Sequence, residues 1–464
     1  MNKKDLSQFQ DIVSQLIQAE KDEPVVKPIA AEKLFEQLDL SLNKSALNDE
    51  SFYQSLKDIV FSTPRTATTK FFNQLFGGRR SKSVLGDLVA VMLNNSMYTY
   101  KVAGPMVGVE KAIIKEICKM IGYGEMADGT IATGGSMSNF MAMVMARDAA
   151  QASLTRAGIE QKMIVYTSEA SHYSIAKNAA LIGVGRDQVR YIKSDDYGKM
   201  MPEELEKQIA ADKAEGFLPF FVNATAGTTV MGAFDDITAA SAICKNHKLW
   251  LHVDGAYCGA VIFSEKYSHL VKGLALSDSF SVNAHKMLGT PLTCSIVVCQ
   301  NKEHLNHSFS NDATYLYQTD GDDYNLGKTS FQCGRRNDAL KFWTLWKSIG
   351  SDGLEKMVDH QFELADIARE YIRNNDDYTL YSYGDSVSVC FNYKGIPAPN
   401  LCTALYENAE LVVGFGSFKG DEFVRFVTIN PDNNKEEIIA FFKTLEAFAD
   451  KHLEELTEIE TTNS

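Results

Sequence analysis

The chain has 464 residues and a formal net charge of −14, which gives room for two or more packed units and argues against a nucleic-acid backbone partner, whose contacts demand concentrated Lys and Arg. No run approaches the roughly 20 apolar residues of a membrane-spanning helix. The eight cysteines form no CxxC pair, so no metal is expected and a reducing compartment fits.

Residues 1–100 read as an N-terminal helical segment. It opens on MNKKDLSQFQDIVSQLIQAEKDE, a polar amphipathic helix without the roughly 7–15-residue apolar core of a secretion signal, so a cytoplasmic protein is expected. Val109, Ile113, Ile117 and Ile121 then recur at helical spacing, ending near Gly122 and Gly124.

Over 101–330 the texture becomes that of a large α/β unit. Short apolar runs (GTIATGG, KMIVYTS, QVRYIKS, FLPFFVNAT, LWLHVDGA, DSFSVNAH and TCSIVVCQ) alternate with helical stretches. One such helix, SNFMAMVMARDAAQ, has Ser138 or Asn139 as its expected cap, and another starts at Pro202. Strands this apolar, separated by helices, predict a mostly parallel sheet covered on both faces. Ligands of such sheets bind beyond the carboxyl ends of the strands. Residues 331–464 read as a smaller α+β unit: a long helix from NDALKFWTLWKSIG, strands in SVSVCFNYKG and EFVRFVTINP, and a closing helix, KEEIIAFFKTLEAFADKHLEEL. TDGDDYNLGKTS is polar and glycine-containing, and is expected to be a mobile loop between the two units.

Several polar groups fall where the strands end. GTIATGG runs into SMSN and a helix, so Gly134, Gly135 and Ser136 can offer backbone N–H groups and a hydroxyl to an anion. Asp254 ends a buried strand and needs a partner there: a protonated ring nitrogen, an arginine or a helix N-terminus. His285 and Lys286 end the next strand. Partial burial would lower the Lys286 pKa and free its amine for a Schiff base, whereas a surface lysine would simply be solvated. Together the three match what pyridoxal 5′-phosphate (PLP) requires: N–H donors for phosphate, a carboxylate for the pyridinium and an amine for the aldehyde. His172 either stacks on the ring or is a satisfied structural histidine.

SVNAHKMLGTPLTCS resembles the lysine segment of the group II PLP-dependent amino acid decarboxylases, the family of glutamate, cysteine sulfinate and aromatic amino acid decarboxylases. TGGSMSNFMAM, SEASHYSIAKNAALIG, NATAGTTVMGAFDDI, HVDGAYCGA and FQCGRRNDALKFWTLWKSIG follow in that family's order, and the likeness runs from about Phe71 to Pro431. Two departures are Ala284 in place of a proline before His-Lys, and Asp-Gly-Ala-Tyr in place of Asp-Ala-Ala-Trp. The resemblance implies the type I, aspartate aminotransferase-like PLP-dependent transferase fold, with 101–330 as the PLP-binding unit, and a homodimer. It implies that Lys286 carries the cofactor as a Schiff base, Asp254 pairs with the ring nitrogen and His172 stacks on the ring. Ala256 would lie on the opposite face, Thr228 beside the ring, and Gly135, Ser136 and His285 on the phosphate. Arg425 matches the arginine for the substrate α-carboxylate, and a planar guanidinium suits forked binding of that group. Tyr315 falls at the tyrosine that protonates carbon after CO₂ leaves, a role a phenol can fill once water is excluded.

The side-chain pocket implied by the resemblance draws on FFNQLFGG and LNNSMYTY. Asn73 and Gln74 carry amides for a distal acidic group, while Phe76, Ser96 and Tyr98 resemble the set in cysteine sulfinate and aspartate decarboxylases. Those substrates are therefore expected over glutamate, although one methylene discriminates by only ~1–3 kcal/mol. Glutamate decarboxylation, another PLP carbon–carbon lyase reaction and a catalytically silent dimeric scaffold are the alternatives.

Overall fold

Each apolar run between residues 128 and 299 forms a strand in the computed structural model, which describes residues 1–151, 153–310 and 322–458. They are β1 (Asp128–Ala132), β2 (Met163–Ser168), β3 (Val189–Ile192), β4 (Leu218–Thr225), β5 (Trp250–Gly255), β6 (Ser279–Asn283) and β7 (Ser295–Cys299). The sheet order is β1-β7-β6-β5-β4-β2-β3. β7 is antiparallel to both neighbours, and the remaining pairings are parallel. Six strands therefore run one way and end on one edge.

The period of two along a strand explains why both faces are apolar. Ile164, Val222, Leu251 and Val298 join Ile113, Ile114 and Ile117 of the helix Pro105–Ile121 in one core. Their neighbours Val165, Phe221, Trp250 and Val297 join Met141 and Met145 of the helix Gly135–Ala150 in another. Each such side chain contributes about 1.5–3 kcal/mol on full burial. The strands are fixed by what lies above and below them.

The helix after β1 starts at Gly135, with Gly134 as its N-cap, so Ser138 and Asn139 are not caps but interior residues. Both are buried, and their side chains bond across the core rather than to the helix end. The helix Pro202–Ala214 begins on its proline as expected. The long helix Ala339–Arg373 is broken at Gly350, and the closing helix Lys435–Lys451 has Asn434 and Glu437 in a reciprocal capping box.

A second sheet, antiparallel and ordered β10-β11-β9-β8, comprises β8 (Tyr378–Leu380), β9 (Ser388–Tyr393), β10 (Gly414–Phe418) and β11 (Asp421–Val427). The Phe72 N–H donates to the Val412 carbonyl at 2.8 Å, and the Phe72 ring packs 4.5 Å from that of Phe426. The segment between the helices Asp49–Ser62 and Ser81–Leu93 is thereby held against this smaller sheet. Among the described residues, no helix is long and apolar enough to cross a membrane.

Candidate active site

The carboxyl ends of β4, β5 and β6 and the start of the helix Gly135–Ala150 surround one cavity. Its walls include Gly135, Ser136, His172, Asp254, Ala256, His285 and Lys286. Residues not assigned to a site from the sequence complete it: Asn139, Tyr173, Thr225, Gly227, Thr229, Tyr257 and Asn283. Gly227 holds a φ of +89°, and a Cβ there would meet the Cys258 sulfur at 2.4 Å. Only glycine lets the chain turn that tightly behind β4.

Asp254, buried at the end of β5, keeps its carboxylate fully engaged on the protein side. One oxygen accepts the Ala256 N–H at 3.0 Å and the other the Asn139 amide at 2.7 Å. Lys286 lines the same cavity, its Nζ 5.9 Å over the Tyr257 ring. Burial pushes the Lys286 pKa below its ordinary value, while Asp254 partly opposes the shift. The amine is thus poised to be neutral and nucleophilic at a lower pH than a free lysine.

His285 has Nδ1 fixed 2.9 Å from both the amide nitrogen and the carbonyl oxygen of Cys294, and burial lowers its pKa to about 4. His172 accepts the Ser174 N–H on Nδ1 at 3.2 Å and is tilted against the Tyr173 ring at 4.2 Å. Burial lowers its pKa too. Both imidazoles are therefore neutral near pH 7.

This donor set fits a phosphorylated pyridine aldehyde. The first turn of a 16-residue helix leaves amide N–H groups without intrahelical partners, and Gly135 and Ser136 supply two of them. A Cβ on Gly135 would come within 3.0 Å of Ala256 Cβ and 3.1 Å of the Asn283 amide, so the missing side chain keeps the cradle open. Asp254 can accept from a protonated ring nitrogen, and Lys286 can take the aldehyde.

Arg425 reaches toward the same region from β11. Its Nη1 donates to the Thr229 carbonyl at 3.0 Å and its Nη2 to the Asn73 carbonyl at 2.8 Å, while Nε is buried without a protein partner. Its charge acts on both Lys286 and Tyr257.

The other expected residues lie apart from the cavity wall. Thr228 is buried behind it, with its hydroxyl accepting the Ala233 N–H at 3.0 Å, while Gly227 and Thr229 on either side face in. Gln74 is exposed, and Phe76 stands 6.2 Å from the Phe71 ring. Ser96 accepts the Arg335 N–H at 3.3 Å, and the Tyr98 ring covers Gly327 so closely that a Cβ would fall 2.3 Å from it. Tyr315 lies outside the described residues, as does the start of the polar loop, which resumes as a short turn at Asp322–Tyr324. Asn139 carried one readable signal: an amide one helical turn after Gly135 on an otherwise apolar stretch.

The model of the pyridoxal-dependent decarboxylase conserved domain matches residues 31–394. The chain is 38% identical over 367 residues to cysteine sulfinic acid decarboxylase of Rattus norvegicus, covering 78% of this chain and 74% of that one. It is 35% identical over 431 residues to the acidic amino acid decarboxylase GADL1 of Xenopus tropicalis, covering 88% and 84%. The crystal structure of mouse CSAD superposes with a TM-score of 0.89 at 32% identity, over 95% of this chain and 98% of that one.

Proposed function

The chain belongs to the pyridoxal-dependent decarboxylase family, and we propose that it removes the α-carboxylate of a short acidic amino acid, aspartate or cysteine sulfinate, to give CO₂ and the amine. The observation that carries this reading is the convergence of a helix N-terminus, the Asp254 carboxylate and the Lys286 amine on one cavity, with the Arg425 guanidinium beside it. When bound, PLP supplies an electron sink for the pair left behind by the departing carboxylate. Lys286 would anchor the aldehyde, Asp254 would keep the ring nitrogen protonated, and Gly135, Ser136 and His285 would hold the phosphate. His172 and Ala256 would confine the ring, and Thr228 would support the turn beside it. Arg425 grips the α-carboxylate and sets the direction of the bond to be broken. Tyr315 returns a proton to carbon.

The preference for a short acid rests on two supports. The relatives named above act on cysteine sulfinic acid and on acidic amino acids, as their names state. Phe76 and Tyr98 add bulk, and Gln74 and Ser96 polar groups, to a pocket for the distal acid. That pocket requires a second copy of the chain, because in one copy these side chains stand away from the cavity wall. The helix Ser81–Leu93 favours such a homodimer. It buries its small residues Ser83, Gly86 and Ala90 and leaves Leu85, Leu88, Val89 and Met92 exposed. Within each copy we assign 1–100 to an N-terminal segment, 101–330 to the PLP-binding unit and 331–464 to the smaller unit. All eight cysteines are unpaired, which suits the cytoplasm.

The test is CO₂ release by the PLP-loaded protein from aspartate, cysteine sulfinate, glutamate and an aromatic amino acid. Release mainly from the first two is expected. Release mainly from glutamate or the aromatic would overturn the substrate assignment. An oxo acid or aldehyde without CO₂ would overturn the reaction.

A further inference from the structure

Behind the Asp254 carboxylate, a row of buried polar side chains crosses the sheet core. Asn139 Nδ2 lies 2.7 Å from Asp254 Oδ2 and 3.0 Å from Ser174 Oγ. Asn139 Oδ1 lies 3.1 Å from His252 Nε2. His252 Nδ1 lies 2.9 Å from Ser279 Oγ, which in turn lies 2.8 Å from Trp250 Nε1. Asn139 is 1% exposed, and His252 and Ser279 are fully buried. A polar row this deep costs stability unless every member is satisfied.

The carboxylate at one end sets the direction of the row, and the indole at the other is compatible with it. Indole nitrogen can only donate, so Ser279 Oγ accepts from Trp250 and has its own proton free for His252 Nδ1. At the other end an ionised carboxylate can only accept, so Asn139 must turn its NH₂ toward Asp254 and its oxygen toward His252. His252 must then carry its proton on Nε2, which leaves Nδ1 to accept from the Ser279 hydroxyl. Burial, which lowers the His252 pKa to about 4, keeps the ring neutral, with a single proton on its nitrogens.

We infer that Trp250, Ser279, His252 and Asn139 form a one-directional hydrogen-bond chain that positions the Asp254 carboxylate for a protonated ring nitrogen. Asn139 and His252 are its positioning residues. Neither can be inverted without placing two donors or two acceptors face to face, so the carboxylate is held in one rotation and remains an acceptor. The chain leaves Asp254 one direction, the cavity, in which to form its strongest interaction. This inference rests on the assignment of Asp254 to the ring nitrogen.

The test uses two cofactors that share the aldehyde and phosphate: PLP and its 1-deaza analogue, in which carbon replaces the ring nitrogen. Wild-type protein should bind PLP about 10- to 100-fold more tightly, the range of a charge-assisted hydrogen bond. Asn139→Leu should weaken PLP and leave the analogue's affinity little changed, so that the ratio falls to within about threefold. His252→Phe, which keeps a ring against Phe221 and touches no cofactor, should lower the ratio in the same direction and serves if the first variant does not fold. General packing damage would weaken both cofactors alike. An unchanged ratio in the folded variants overturns the positioning role. Equal binding of the two cofactors by the wild-type protein would instead sink the Asp254 assignment, and the inference with it.

Discussion

Replacing Arg425 with lysine keeps the charge and removes the fork, and the effect can be worked from the contacts of the guanidinium. Its two terminal nitrogens donate to the Thr229 and Asn73 carbonyls at 3.0 and 2.8 Å, so the plane of the group is set by two separate contacts. Nε, buried without a protein partner, and the remaining Nη hydrogens are left for a carboxylate. A single ammonium cannot hold two carbonyls and also offer a planar pair of donors. Losing one charge-assisted hydrogen bond costs about 1.5–3 kcal/mol, or roughly 10- to 150-fold in kcat/KM. The assay is steady-state CO₂ release by wild type and Arg425→Lys, with the product amine run beside it as a competitive inhibitor. The amine lacks the α-carboxylate, so its inhibition constant should stay within about threefold of wild type. Equal weakening of substrate and amine would refute the reasoning, because it would mean that Arg425 shapes the cavity and does not grip the carboxylate.

Gly135→Ala should weaken PLP binding by about 5- to 150-fold, the effect of ~1–3 kcal/mol of overpacking, since its Cβ would press on Ala256 and Asn283; equilibrium dialysis reads it. His252 stays neutral in the folded chain down to about pH 4, whereas an unfolded histidine takes a proton near pH 6.5. Falling pH therefore favours the unfolded state, and between pH 6.5 and 4 the wild type should lose about 3 kcal/mol more unfolding free energy than His252→Phe. Urea titrations at the two pH values compare them. Tyr315→Phe should cut amine formation by about 10²- to 10⁴-fold with the bound cofactor's visible absorbance unchanged, and normal turnover would remove Tyr315 from the proton transfer.

The large sheet was legible because β4 and β5 are buried on both faces and so read as unbroken apolar runs. β8 and β10 were not. The first spans three residues, and the second, GFGSF, has two glycines, which depress strand propensity. The start of the helix at Gly135 was hidden for a related reason: Ser138 and Asn139 look like caps, and only the fold shows that they point across the core. At the site, Asp254, His285 and Lys286 were readable because a charged or basic group at the end of a buried strand stands out. Thr225, Tyr257 and Asn283 did not stand out, because their side chains suit a strand end or a core equally well. The fork of Arg425 depends on carbonyls more than 190 positions away in sequence, which no local pattern carries.

The proposed chemistry depends on one bond, between the cofactor and a particular lysine. Borohydride reduction of the PLP-loaded protein fixes the cofactor to the amine that holds it, and peptide mass spectrometry then locates the pyridoxyl group. One modified residue, Lys286, is expected. Modification of a different lysine, or none in protein that retains PLP and releases CO₂, would contradict it.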